Sequence, residues 1–266
     1  MNFRQFPKFG LFACLLLLAS APAQAWGPAG HEIVALIALR ELTPAARAQV
    51  ARLLGSATVL VQDSNWADEI RDQRRNTGRW HFVDIPLEAP GYDAWRDCPG
   101  QDCVVAQIDN HRRILSNPRL STAARAEALR FLIHFVADAH QPLHAEDNKD
   151  RGGNDIRVTL GRRRESLHRV WDSEVVESLG REPGDIADRI ERSISAADRK
   201  TWMSGSPAQW VNEAHAIARD RIYPPLQSRR ELRLPRDYAF REAPIARLQL
   251  ARAGVRLAWL LNTALK

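Results

Sequence analysis

The chain has 266 residues, of which 45% are hydrophobic and 26% charged, with 14 glycines and 15 prolines. These proportions exclude a disordered, collagenous or low-complexity protein, and the length can bury a full core without disulfide support. The net charge of +6 suits anionic partners such as nucleic acid or phospholipid headgroups, and equally fits a solvated Arg-rich surface.

Residues 1–25 read as a secretory leader. Arg4 and Lys8 make a positive first region, Leu11 to Ala19 an uncharged apolar run, and Ala23-Gln24-Ala25 a small-x-small signal with cleavage expected after Ala25. The run is too short to span a bilayer as a stable helix. Cys14 stands near its front rather than behind it, which argues against lipidation. No second long apolar run follows, so the processed chain, 26–266, is expected to be periplasmic or secreted, without stable membrane insertion, and monomeric. Cys98 and Cys103 remain after cleavage. In an oxidising compartment this pair can close a small disulfide loop; two free thiols are the alternative.

The processed chain reads as one all-α domain. Ile33, Val34, Ile37, Ala38 and Leu42 recur at helical spacing, and Thr43-Pro44 restarts a helix that runs through Val50, Leu53 and Leu54. A further helix is expected at 65–75, and 79–103 reads as irregular loop. Helices follow at 104–116 and 121–140. The Gly-rich, charged segment 147–165 leaves room for a short β-hairpin near 155–165. Helices resume near 166–179, 184–194, 207–221 and 243–264.

The chemistry lies in histidines and aspartates. In HFVADAHQPLH, His134 and Asp138 are four apart and share a helix face, and Pro142 ends the helix where His144 can turn back. His168 and Asp172 in LHRVWD repeat the i, i+4 pairing. Phe131, Ile133, Phe135 and Val136 surround the first pair, and a carboxylate among them calls for a metal or another cation. Asp68 and Arg71 share a face in WADEIR, and WHFVD sets His81 beside Phe82 and Asp84. Trp26 stands at the expected new N-terminus, where a free α-amine can act as a metal ligand near neutral pH.

Trp26 followed by His31, then WADEIR, WHFVD, HFVADAHQPLH, GGND and LHRVWD, in that order, resemble the S1/P1 nucleases, zinc-dependent enzymes acting on single-stranded nucleic acids and 3′-nucleotides. The resemblance spans nearly all of the processed chain. It implies the mainly helical fold shared with zinc-dependent phospholipase C and a cluster of three zinc ions. Asp68, His81, His134 and Asp138 would hold one ion. Trp26, His31 and Asp138 would hold a second, and His144, His168 and Asp172 a third. Arg71 and Asn154 become candidates for stabilising the transition state, and Phe82 and Asp84 for stacking on and reading a base. Implied substrates are single-stranded nucleic acid and nucleotides, with 5′-phosphate products. A zinc phospholipase C and a non-catalytic zinc- or phosphate-binding protein are the competing readings. His140 is expected to make a structural hydrogen bond, and His111 and His215 to be surface or helix-packing residues.

Overall fold

Prolines and small polar caps begin most of the long helices. Pro28 opens α1 (Pro28–Arg40). Thr43 accepts the Ala46 N–H to cap α2 (Pro44–Leu54), and Gly55, at φ 86°, closes it. The computed structural model describes residues 26–226 and 231–266, so the leader expected at 1–25 lies outside the described residues. α3 (Val104–Ser116) leads by a short turn into α4 (Thr122–Asp138), which Ser121 caps through the Ala124 N–H. Next come α5 (Pro183–Ser193), α6 (Ala196–Trp202), α7 (Pro207–Ile217) and α8 (Tyr238–Ala264).

The core forms where α1, α4 and α8 bring their apolar faces together, with α3 packed along α4 and α5 along α1. Gly254 of α8 lies so close to α1 that a Cβ there would stand 2.6 Å from the Ile37 Cβ. This contact sets the distance between the two helices. α4 is buried along most of its C-terminal half, which places His134 and Asp138 inside the protein.

Against this frame, the expected hairpin is present as β1 (Arg157–Leu160) and β2 (Arg163–Ser166), antiparallel, with Arg157 opposite Ser166. A third strand not anticipated from the sequence, β3 (Glu231–Leu234), pairs parallel to β1 and completes a small sheet in the order β2-β1-β3. The helix expected at 65–75 is one turn, Trp66–Glu69. The expected loop 79–103 carries short helical turns, among them Ala94–Asp97. The helix at 243–264 starts five residues earlier, at Tyr238, with Pro244 inside its second turn. Leu167–Arg169 passes into a π turn at Val170–Glu174 and then Val175–Glu177. Among the described residues, no helix is long and apolar enough to cross a membrane. Cys98 and Cys103 are joined as a disulfide.

Candidate metal centre

Three groups of ligating atoms converge. They are His31 with His134 and Asp138, Asp68 with His81 and His134, and His144 with His168 and Asp172. Six parts of the fold supply them, Asp68 coming from the turn Trp66–Glu69 and His81 from the end of the 3₁₀ turn Arg75–His81. α1 carries His31 in its first turn, and α4 carries His134 and Asp138 in its last. α4 ends at Asp138, short of the expected 140, and a 3₁₀ turn that opens on Pro142 swings His144 back. The π turn at 170–174 holds Asp172 in register with His168. Such wide turns cost regular helix geometry and gather at functional sites.

Asp138 lies at the junction. Its Oδ1 is 3.4 Å from His31 Nε2, and its Oδ2 is 3.1 Å from His81 Nδ1 and 3.4 Å from His134 Nε2. Asp68 Oδ1 stands 3.6 Å from His81 Nδ1 and 3.7 Å from His134 Nε2. His168 Nε2 and Asp172 Oδ2 are 3.4 Å apart. Two ligands each about 2.0–2.1 Å from one tetrahedral zinc ion stand about 3.3 Å from each other. The observed separations therefore match the edges of coordination polyhedra. Buried atoms without a hydrogen-bond partner collect here as well: His31 Nε2, Asp68 Oδ1, His134 Nε2 and Asp138 Oδ1. Buried polar atoms are normally paired, so this concentration calls for a cation.

Backbone carbonyls aim the rings. His134 Nδ1 donates to the Ser64 carbonyl at 2.8 Å, His144 Nδ1 to that of His81 at 2.8 Å, and His168 Nδ1 to that of Gly152 at 2.6 Å. A carbonyl only accepts, so each Nδ1 holds its proton. Burial pushes the pKa of His144 well down and that of His168 to about 4, so both rings are neutral. Their Nε2 atoms therefore present lone pairs to each other across 3.0 Å. That contact is repulsive until a cation shares both. Burial also carries the Asp138 and Asp172 carboxyls well above the usual range, and the neighbouring Asp68 adds to both shifts. Ions among these groups would restore the carboxylates.

A cleft of about 870 Å³ opens over the cluster and is lined by His81, His144, His168 and Asp172. Arg71, Phe82, Asp84 and Asn154 line it too, so these four candidates share one space with His81 and the third metal group, while Asp138 lies beneath, outside the lining. Arg71 Nη1 lies 3.8 Å from Asp68 Oδ1. Asn154 Nδ2 donates to the Arg151 carbonyl. Arg79 covers a face of Phe82 at 5.6 Å and meets Asp84 Oδ2 at 3.3 Å. The buried Trp26 is the first described residue, and the next residue, Gly27, donates its N–H to the Asp172 carbonyl at 2.8 Å. This hydrogen bond ties the start of the domain to the third group.

His140, His111 and His215 are buried outside the three groups. His140 bonds the Val136 carbonyl and Arg256, and His111 packs among Trp80, Phe131 and Phe135. His215 lies between the Ala89 and Ala145 carbonyls. Sequence reasoning missed Gln141. It is fully buried, donates to Asp172 Oδ1 at 2.6 Å and accepts the Leu143 N–H. It also gave no role to Gly152 beyond the GGND motif or to Arg79, Arg151, Arg157 and Arg169 along the cleft. An amide or a glycine has no chemical signature of its own in a sequence, and single arginines scattered through it do not show which of them share a cleft.

The fold and the site together define a class: a mainly helical protein with three His/Asp groups suited to metal ions beneath a cleft rich in arginine. The S1/P1 nuclease family matches residues 26–266. The chain is 32% identical to nuclease PA3 of Penicillium sp over 218 residues, covering 72% of this chain and 80% of that protein, and the same figures hold for nuclease P1 of Penicillium citrinum. It is 30% identical to endonuclease 2 of Arabidopsis thaliana over 272 aligned positions, 93% of each chain. The chain belongs to the S1/P1 nuclease family and is a hydrolase acting on nucleic acid.

Proposed function

We propose that this nuclease is exported, holds three zinc ions and hydrolyses single-stranded DNA and RNA to products with 5′-phosphate ends, with 3′-nucleotidase activity at the same site. The observation that carries the reading is the convergence of three His/Asp groups, within which the Nε2 atoms of His144 and His168 meet at 3.0 Å. Nitrogen and carboxylate donors suit zinc. Asp68, His81, His134 and Asp138 hold one ion, Trp26, His31 and Asp138 a second, and His144, His168 and Asp172 the third. Trp26 serves through the amine and carbonyl exposed when the leader is cut after Ala25, so export and assembly of the site are one event. The product of cutting is the periplasmic or secreted form, and it works as a monomer.

When bound, the ions supply Lewis acidity to the phosphoryl oxygens and bring a coordinated water towards ionisation near neutral pH. The chain's own groups do the rest. Asp138 ties two of the metal groups together. Arg71 sets a guanidinium in the cleft, where it stabilises the charge that develops on the phosphoryl oxygens. Asn154 spends one amide hydrogen on the Arg151 carbonyl and offers the other to a phosphate oxygen. Phe82 supplies a ring for an unpaired base, and the Asp84 carboxylate accepts from the base edge. A base inside a duplex cannot reach that ring, which accounts for selection of single strands. The arginines of the cleft, Arg71, Arg79, Arg151, Arg157 and Arg169, suit a phosphate under all three readings, and the family match favours the nuclease over the other two.

The test compares one oligonucleotide as a single strand and as a duplex, with the wild type and with Phe82→Ala. The wild type is expected to prefer the single strand. Phe82→Ala is expected to lower kcat/KM on the single strand by about tenfold, the loss of a stacking contact worth roughly 1–3 kcal/mol. Equal cleavage of duplex and single strand by the wild type would overturn the base-stacking part of the proposal.

A further inference from the structure

The cleft is larger than one scissile phosphate and one base need. Its volume of about 870 Å³ stands near the top of the range, roughly 300–1,000 Å³, of small-molecule sites. Phe82 and Asp84 line it beside His81, and the hairpin lines it beside His168. Arg157 begins β1 and stands opposite Ser166 of β2, with both residues on the cleft. Ser166 then caps the turn that carries His168, accepting the Arg169 N–H.

Charge pairing along this rim is uneven. Arg151 is held by Asp155 through three contacts of 2.6–3.2 Å, and Arg169 faces Glu165 at 3.4 Å. Arg157 is exposed and has no carboxylate within ion-pair distance among the described residues. Asp155 feels its charge, and Arg151 already engages that carboxylate. β1 is paired on both sides, so the backbone that presents Arg157 is fixed. A cation on a fixed strand, facing a cleft and in no ion pair among the described residues, is arranged for an external anion.

We propose that Arg157, with Ser166 beside it, forms an outer phosphate subsite that binds a backbone phosphate of the substrate strand other than the one being cleaved. The inference rests on the nucleic-acid reading above and extends it: the site is built for a strand longer than two nucleotides. A guanidinium binds phosphate through paired N–H donors, so lysine keeps the charge and loses part of the geometry.

The experiment uses the processed, zinc-loaded protein on two substrates, thymidylyl thymidine, whose single phosphate is the scissile one, and an eight-residue oligothymidylate. Steady-state constants are measured across a salt series for the wild type, Arg157→Ala and Arg157→Lys. Arg162→Ala, at the hairpin turn away from the cleft, serves as control. Arg157→Ala is expected to raise KM for the octamer three- to fivefold more than any change seen with the dinucleotide. It should also flatten the slope of log kcat/KM against log salt for the octamer by about 0.7, the value for one lost phosphate contact on a single strand. Arg157→Lys should restore most of the slope. An unchanged slope, or equal effects on both substrates, would overturn the subsite while leaving the nuclease reading intact. Failure of the wild type to cleave either substrate would instead contradict the nuclease reading itself.

Discussion

Asp138 meets three imidazoles, His31, His81 and His134, within 3.1–3.4 Å, whereas Asp172 meets His168 and the amide of Gln141. Asp138→Asn is therefore expected to empty two metal positions and Asp172→Asn one, measured as zinc per chain after dialysis. Equal zinc content in the two variants would count against the shared role of Asp138. Gln141 extends the argument one residue outward. Leu143 N–H fixes its amide oxygen, so its Nε2 must face Asp172 and leaves Oδ2 turned towards His168. Gln141→Leu removes that donor, and zinc affinity in competition with a chelator is expected to fall between 10- and 100-fold. Unaltered affinity would show that Asp172 holds its orientation alone. The histidines and aspartates of the centre were legible in the sequence because their chemistry is rare and their spacing matched helical faces. Gln141 was not, because a buried amide is marked only by the carboxylate it meets in space.

At the scale of elements, the site depends on a few backbone approaches. Gly152 adopts φ +63°, and a Cβ there would stand 2.3 Å from the Leu143 carbonyl and 3.3 Å from His168 Nδ1. Its own carbonyl receives the His168 Nδ1 proton. Gly152→Ala is expected to cost about 2–4 kcal/mol, combining left-handed strain with displacement of the 142–144 turn, and to lower Tm by about 5–15 °C. A calorimetric Tm within a degree of the wild type would contradict this. The Cys98–Cys103 disulfide closes a short loop, and the next residue, Val104 at the start of α3, donates its N–H to the Phe82 carbonyl. Reducing it, or replacing both cysteines by serine, is expected to cost about 2 kcal/mol in denaturant unfolding. An unchanged midpoint would show that the loop needs no cross-link. The long helices and the hairpin were legible from caps, prolines and apolar period. β3 was not, because it becomes a strand only by pairing with the distant β1. The π turn at 170–174 escaped notice for a related reason. An i, i+4 His–Asp pair predicts a shared face in any helix and does not report its local pitch.

Across the whole molecule, the stretch that begins at Trp26 packs beside the third ligand group. Trp26 is buried, a Cβ on Gly30 would fall 2.6 Å from the Trp26 Cβ, and Gly27 bonds Asp172. A protein that keeps extra residues ahead of Trp26 is expected to bind one zinc ion fewer and to lose nuclease activity, by metal analysis and assay on the same sample. Full zinc and full activity with the extension in place would remove the N-terminus from the centre. Under the proposed function, this nuclease cuts single strands through a metal cluster held by these His and Asp residues. The most direct measurement is cleavage of a single-stranded oligonucleotide by the processed protein in zinc, beside a chelated sample, with zinc per chain and product ends determined together. Three zinc ions, cleavage abolished by the chelator and restored by zinc, and 5′-phosphate ends are the predicted result. Undiminished cleavage by chelated protein shown to contain no zinc would contradict it.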